Sequence, residues 1–251
     1  MLYQYPGKPA LVLVHGWGAN SSCWPIGRLS MHFSLLVIDY SRLSKAQRDV
    51  QFFSSLLSAF VKKSGFRNFV LLGHSMGGMI AMQYAMASPE KIRGLLLVGS
   101  FWGNPLPELP FLKFNPFRML NQNMSYKLVT FFIKLGKSFT SERDVDLSQE
   151  APGSTYESIR LFFMLPSLSH LLEGAFFLTH YPKPDFSKLK MPVQILHTQH
   201  DDLVPVSSAR LLKRSIKKSK LKILSKGNHV WFLKYPDILV RETTRFSEKL
   251  T

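Results

Sequence analysis

The 251-residue sequence is poor in cysteine and has no long apolar run. Because Cys23 is its single cysteine, it can form neither an internal disulfide nor a cysteine-based zinc cluster. No apolar run approaches the about 20 residues that a membrane-spanning helix needs, and we expect no stable membrane anchor. The first residues lack the basic and apolar regions of a signal peptide. We therefore expect a cytoplasmic protein in which Cys23 packs as a small apolar residue.

Acidic residues are also scarce, with 16 against 32 basic residues and a net charge of +16. The excess lies in residues 1–100 and 186–251, whereas residues 101–185 hold eight residues of each sign. A basic surface suits an anionic partner. The densest basic stretch, Leu211 to Lys222, overlaps a predicted helix over 207–219. The pattern places Leu211, Leu212 and Ile216 on one helical face and leaves a solvated basic face opposite, with Lys213, Arg214, Lys217 and Lys218. It carries no nucleic-acid-binding motif, so we expect no nucleic-acid partner.

Short apolar runs separated by helical patterns indicate the fold class. The runs are about four residues long and do not alternate with polar residues, which is typical of parallel strands buried on both faces. They are 11–14, 35–38, 69–72, 95–98, 193–196 and 221–224, and the helical stretches are 44–63, 79–88 and 207–219. This alternation predicts an α/β fold with a doubly wound, mostly parallel sheet flanked by helices.

The alternation stops between residues 98 and 193. The intervening segment is rich in Pro and Phe at its start and then shows amphipathic helical patterns. We interpret residues 101–185 as a helical lid inserted into a core domain formed by residues 1–100 and 186–251. A chain of this size buries roughly 70–75% of its unfolded surface without disulfides or metals.

The segment "FVLLGHSMGGMIAMQYA" contains the first candidate for chemistry. Ser75 lies between a strand and a helix, with Gly73 two residues before it and Gly77 two residues after it. A side chain at either glycine would collide across the sharp turn that presents the serine hydroxyl at the top of the sheet. This G-x-S-x-G arrangement predicts a nucleophile elbow, although glycine and serine also occur by chance at such joints.

A base and an acid are found after later strands, where functional groups of parallel sheets collect. His229 follows the last strand, and the order Ser75, Asp201, His229 is the one expected for a serine hydrolase. Asp201 fits the pattern Asp-x-x-Val-Pro, but Asp202, which suits a turn, and Asp39, which follows the second strand, remain alternatives.

The first strand is followed by His-Gly-Trp-Gly, which can present a backbone N–H. We predict that the N–H groups of Trp17 and Met76 form an oxyanion hole. Structural roles are the simpler interpretation for His15 and His74, because His15 can tie down its own loop and His74 points away from its neighbour on the tight turn. The histidine spacing matches no metal site, so we expect no metal and no cofactor.

The stretches "LVLVHGWGANSSCW", "LLGHSMGGMIAMQYAMASPEKIRGLLLVGS" and "KGNHVWFLKYPD" together resemble the α/β-hydrolase superfamily over almost the whole chain. The chain looks most similar to the methyl ester esterases of biotin synthesis. That resemblance implies a triad of Ser75, Asp201 and His229, and an oxyanion pair of Trp17 and Met76. It also implies hydrolysis of pimeloyl-[acyl-carrier protein] methyl ester by a monomer whose partner is the carrier protein.

The same resemblance suggests roles for residues of the lid. Phe132, Phe162 and Phe163 are candidates for the substrate pocket. Contacts to the carrier protein would come from lid cations, namely Arg118, Lys127, Lys134, Lys137, Arg143 and Arg160. The alternatives are a general short-chain esterase, a lipase or lysophospholipase, and a binding protein that has kept the fold without catalysis.

Overall fold

The computed structural model describes residues 1–17, 19–41, 49–103 and 181–250. Within these ranges, seven strands form one sheet in the order β1-β3-β2-β4-β5-β6-β7. The strands are β1 Leu2–Tyr3, β2 Ala10–Val14, β3 Ser34–Ile38, β4 Phe69–His74, β5 Ile92–Val98, β6 Val193–Thr198 and β7 Ser219–Leu224. All neighbours pair in parallel except β1, which lies antiparallel to β3. The predicted α/β sheet is confirmed.

Helices cover both faces of this sheet. They are α1 Ile26–Leu29, α2 Val50–Ser64, α3 Met76–Ala87, α4 Val206–Ser215, α5 Trp231–Lys234 and α6 Pro236–Glu248, with 3₁₀ turns at Ser21–Cys23, Pro89–Lys91 and Phe186–Lys188. Residues of β2 alternate between two apolar cores, with Val12 in the core under α2 and α3 and Leu13 in the core under α6. Since successive strand side chains point to opposite faces, a run with apolar residues at every position is what two covered faces require.

Local chemistry accounts for the bounds of α2. The Asp49 side chain accepts a hydrogen bond from the backbone N–H of Phe52 and so caps the first turn. Gly65 ends the helix in the left-handed conformation, with φ of 73°. The sequence predicts this helix over 44–63, of which residues 44–48 lie outside the described residues.

Three elements differ from the sequence prediction. Helix α3 begins at Met76 rather than Met79, because Gly77 and Gly78 belong to its first turn. Helix α4 ends at Ser215 rather than at the predicted bound of 219, so the prediction of Lys217 and Lys218 on its basic face is wrong. The chain turns at Ile216, and the lysines that follow lie in that turn and on β7. Leu211, predicted on the apolar face, is 53% exposed.

The sequence analysis did not identify β1 or the helices α1, α5 and α6. Of the lid predicted over 101–185, residues 104–180 lie outside the described residues. Among the residues that the structure does describe, no helix is long and apolar enough to cross a membrane.

Candidate active site

Ser75 stands on the sharp joint between β4 and α3. Its φ of 53° and ψ of −124° are unusual for any residue other than glycine. The backbone N–H of Ser75 donates to the carbonyl of Val98 at 2.9 Å, which ties the joint to the end of β5. Ser75 is partly exposed, whereas the residues on either side of it are buried. The strand-to-helix turn therefore lifts this one side chain out of the packed sheet.

The glycines around Ser75 are required by close backbone contacts. A Cβ atom added at Gly73 would lie 2.5 Å from the carbonyl oxygen of Gly77, and one added at Gly77 would lie 2.3 Å from that of Val14. The collision expected across the turn is therefore present at Gly73, whereas the collision at Gly77 is with the end of β2. A third contact, which the sequence did not reveal, is at Gly78, where a Cβ would lie 2.0 Å from Oγ of Ser100. The Ser100 hydroxyl is fully buried and donates to the carbonyl of Gly73 at 3.2 Å.

The second half of the site is a paired contact between His229 and Asp201. Nδ1 of His229 lies 2.9 Å from Oδ2 and 3.0 Å from Oδ1 of Asp201. The backbone N–H groups of Leu203 and Val204 donate to the same carboxylate at 3.0 and 2.7 Å. Because the carboxylate only accepts, the proton of His229 sits on Nδ1. The other ring nitrogen, Nε2, is then free to accept a proton.

The Asp201 carboxylate stays ionised although its side chain is only 1% exposed. Burial is the largest influence and raises its pKa, but attraction to His229 and the hydrogen bonds it accepts outweigh burial, and its pKa is lowered. His197, with Nε2 3.5 Å from Oδ2, also stabilises the negative charge. An ionised acceptor at Nδ1 is what orients an imidazole for proton transfer at Nε2.

The two alternative acids make other contacts. Oδ1 of Asp202 accepts the backbone N–H of His229 at 3.3 Å, as suits a turn residue that positions the loop. Asp39 accepts hydrogen bonds from the hydroxyl and N–H groups of Ser21 and Ser41, at 2.6 to 3.2 Å. Burial raises the pKa of Asp39, but these hydrogen bonds outweigh burial and hold its pKa below the usual range. Asp39 follows β3, which the sheet order separates from β7 by the central strands.

His15 has the structural role that the sequence suggested. Its Nε2 accepts the backbone N–H of Tyr40 at 3.3 Å, and its Nδ1 donates to the carbonyl of Gly16 at 2.8 Å. The ring stacks on Tyr40 with centroids 3.9 Å apart. Burial lowers the pKa of His15, so the ring is neutral and braces the loop that leads to Trp17.

His74 makes a contact that the sequence did not reveal. Its Nε2 donates to the backbone carbonyl of His229 at 3.1 Å, and the two rings lie 4.7 Å apart. The His74 side chain is packed edge-on against Phe232 and is almost fully buried. Burial, followed by repulsion from His229, lowers its pKa well below the usual value. A neutral His74 thus links the residue before Ser75 to the loop that carries His229, 155 positions further along the chain.

A further glycine lies against the histidine and aspartate pair. Gly99 follows β5 with φ of 52°, and a Cβ atom there would lie 3.4 Å from Cε1 of His229 and 3.5 Å from Oδ2 of Asp201. The structure therefore gathers Ser75, Gly99, Asp201 and His229 at the carboxyl ends of β4 to β7. The sequence signal for Gly99 was its position directly after a buried strand.

The predicted oxyanion donors flank this cluster. Met76 is the first residue of α3, so its N–H is outside the intrahelical hydrogen-bond ladder. Trp17 follows the Gly16 turn after β2 and packs partly buried against the core beneath α3. A Cβ at Gly16 would lie 3.1 Å from Cβ of Ser75, so the two loops are in direct contact.

Other predicted residues fall outside this cluster. Cys23 is a free thiol that packs partly buried against the core beneath α6, and burial raises its pKa to about 12. In the described part of the chain, no group of three His, Cys, Asp or Glu side chains is arranged to hold a metal ion. The lid candidates lie outside the described residues, namely Phe132, Phe162, Phe163, Arg118, Lys127, Lys134, Lys137, Arg143 and Arg160.

Comparison with known proteins places this geometry in context. A family model described as the alpha/beta hydrolase fold matches residues 9–236. The chain is 27% identical to the pimeloyl-[acyl-carrier protein] methyl ester esterase of Pectobacterium carotovorum, over 96% of this chain and 95% of that protein. It is 27% identical to the protein of that name from Yersinia pseudotuberculosis, over 99% and 98%. An esterase from Rhodococcus sp. ECU1013 shares the fold, with 23% identity, a TM-score of 0.71 and coverage of 100% and 94%.

Proposed function

This chain belongs to the α/β hydrolase fold family and is a carboxylesterase hydrolase, and from that premise we propose that it hydrolyses the methyl ester of pimeloyl-[acyl-carrier protein]. We infer that Ser75, His229 and Asp201 form its catalytic triad. The observation that carries the triad is the contact of His229 Nδ1 with both oxygens of a buried Asp201. The substrate rests on the full-length similarity to relatives of that name.

The first half of the proposed reaction forms an acyl-enzyme. Oγ of Ser75 attacks the ester carbonyl carbon while Nε2 of His229 takes the hydroxyl proton. The Asp201 carboxylate stabilises the imidazolium that results, and the N–H groups of Trp17 and Met76 bind the new oxyanion. When the tetrahedral intermediate collapses, the bond to methoxide breaks, and His229 returns its proton so that methanol leaves.

The second half restores the enzyme. A water molecule gives a proton to Nε2 of His229 and attacks the acyl carbon. The oxyanion forms again at the same two N–H groups. Collapse then breaks the bond to Oγ of Ser75, which recovers its proton from His229 and releases the free carboxylic acid. No metal or redox group is needed for either half, because every bond change is a proton or acyl transfer.

The test compares two substrates and four proteins. The carrier-linked methyl ester and the free methyl ester of pimelic acid are offered to the native enzyme and to Ser75→Ala, Asp201→Asn and Asp202→Asn. We expect Ser75→Ala to lose activity and Asp201→Asn to lose about 10³–10⁴ in kcat, because the asparagine amide cannot stabilise the imidazolium or fix its tautomer. Asp202→Asn is the matched control, since its amide oxygen still accepts the His229 backbone N–H, and we expect a change below about threefold.

The result that would refute the proposed substrate differs from the result that would refute catalysis by Ser75. A native enzyme that cleaves free esters but ignores the carrier-linked ester would be a general esterase, and lipid esters would be the next substrates to test. A protein whose Ser75 does not react with a fluorophosphonate probe would be a binding protein on this fold. Cytoplasmic location remains a prediction of the sequence.

A further inference from the structure

One stretch of the chain, which ends beside the proposed site, carries more than half of the net positive charge. Between Asp202 and Asp237 the sequence holds nine basic residues and no acidic residue. Eight of them precede His229, and we call this set the basic rim: Arg210, Lys213, Arg214, Lys217, Lys218, Lys220, Lys222 and Lys226. Six are exposed, and Lys213 and Lys222 are partly exposed.

The fold wraps the basic rim around one edge of the sheet. In the described part of the chain, β7 pairs with β6 alone and closes the strand order. Lys220 and Lys222 project from the face of β7 that α6 covers, since Lys222 reaches Glu242 of that helix at 2.9 Å. Arg210, Lys213 and Arg214 lie on α4, which packs on the opposite face, so the cations surround the edge from both sides.

Most of this charge has no counter-charge among the described residues. Lys222 forms an ion pair with Glu242, and within the described residues no other cation of the rim forms one. Lysines on an edge strand discourage pairing with other chains, and Lys220 would serve that purpose alone. The further cations on α4 and in the flanking turns need another explanation, because gathering like charges raises the electrostatic energy of the folded chain.

The position of the rim indicates what it faces. Lys226 follows the carboxyl end of β7 and is three residues before His229, so one end of the rim reaches the sheet edge where Ser75, Asp201 and His229 lie. Lys217 and Lys218 precede β7 and mark the other end of the rim. A partner seated there could present a tethered substrate to that edge. By contrast, residues 101–185, which hold the lid cations of the family resemblance, carry eight basic and eight acidic residues and no net charge.

We propose that the acidic carrier protein docks on the basic rim and delivers its acyl arm to Ser75 across the carboxyl end of β7. This inference rests on the proposed function. Charge complementarity of this kind steers association and is screened by salt. Docking thereby gives the eight rim cations a role that catalysis itself does not supply.

Two charge-reversal variants of equal size test the proposal. The rim variant is Lys218→Glu/Lys220→Glu/Lys226→Glu. The matched control is Lys62→Glu/Lys63→Glu/Arg67→Glu, three exposed cations at the end of α2 and the start of β4. The ratio of kcat/KM for the carrier-linked ester to that for the free ester is measured at low and high salt. We expect the ratio to fall about tenfold or more in the rim variant at low salt, less at high salt, and by under about twofold in the control.

Direct binding provides a second measurement that does not depend on turnover. The acyl-carrier protein is titrated into Ser75→Ala enzyme with and without the rim substitutions, after circular dichroism has shown that each variant is folded. We expect the rim substitutions to weaken the Kd by about the same tenfold factor.

Three outcomes would overturn the rim as the docking surface. In the first, the kcat/KM ratio is unchanged in the rim variant but falls in the lid variant Arg118→Glu/Lys134→Glu/Arg143→Glu. That result would assign docking to the lid. Another is an equal fall in the rim variant and the matched control, which would reduce the effect to net charge. In the third, the rim variant no longer binds anionic vesicles, but its kcat/KM for the carrier-linked ester is unchanged. That result would make the rim a lipid-binding surface. A native enzyme indifferent to the carrier would instead refute the proposed function.

Discussion

The backbone strain at Ser75 yields a prediction in which stability and activity change in opposite directions. With φ of 53° and ψ of −124°, Ser75 occupies a region that costs a residue with a Cβ atom about 1–3 kcal/mol. Ser75→Gly removes that cost, because glycine adopts positive φ freely. Glycine also gives the unfolded chain more freedom, which opposes the gain by about 0.5–1 kcal/mol. We expect Ser75→Gly to be inactive and more stable than the native enzyme by about 0.5–2 kcal/mol.

Ser75→Ala separates strain from the loss of the hydroxyl group. Alanine keeps the Cβ atom and therefore the strain, so this variant should be inactive with a free energy of unfolding within about 0.5 kcal/mol of the native value. Asn68→Gly controls for glycine itself, since Asn68 also has positive φ, at 51°, but asparagine tolerates that conformation well. We expect Asn68→Gly to give no gain in stability.

The measurement is equilibrium unfolding in urea, with thermal unfolding as a check. For a domain of this size each kcal/mol corresponds to about 2–4 °C in Tm. If Ser75→Gly and Ser75→Ala prove equally stable, the backbone at Ser75 stores no strain and the reasoning is wrong. If Asn68→Gly gains as much as Ser75→Gly, the effect belongs to glycine at positive φ in general and not to the elbow.

Three further predictions concern His74 and Gly78 beside the site and Cys23 outside it. His74 stays neutral when folded and titrates near 6.5 when unfolded, so the unfolded chain binds more protons below that pH and stability falls as the pH drops. His74→Gln should therefore make the free energy of unfolding less dependent on pH between pH 6.5 and 5, by up to about 1.4 kcal/mol per pH unit. An unchanged pH dependence would contradict a neutral His74. Gly78→Ala should lower the free energy of unfolding by about 1–3 kcal/mol, because the new Cβ would overlap the Ser100 hydroxyl. The double variant Gly78→Ala/Ser100→Gly should recover part of that loss. An unchanged stability in the single variant would argue against the contact. Cys23 is partly buried and its pKa is raised to about 12, so it should react with iodoacetamide at pH 8 about 30–100-fold more slowly than an unfolded thiol. Mass spectrometry can follow the reaction, and an equal rate for the folded and unfolded thiols would contradict the raised pKa.

The strands and the elbow could be predicted from the sequence because both depend on local patterns. A parallel strand covered on both faces requires apolar residues at every position, and such runs are visible without knowing their partners. The elbow likewise shows as glycines within three residues of Ser75, although only Gly73 is pressed against the same turn, and Gly77 is pressed against the end of β2. Single-sequence patterns fail where a helix and a strand share the same residue types. For that reason the helix predicted over 207–219 runs past its observed end at Ser215, and the strand predicted over 221–224 starts later than β7, which begins at Ser219.

The sequence by itself determined the fold class, the order of the candidate catalytic residues along the chain and the excess of positive charge. Tertiary structure alone decided that Asp201, rather than Asp202 or Asp39, contacts the His229 ring, because neighbouring aspartates on one loop differ only in where the backbone aims them. It alone joined His74 to the His229 carbonyl, a contact between residues too distant in sequence for any local pattern to report. The same is true of the basic rim, whose cations surround a single edge because the strand order places β7 last.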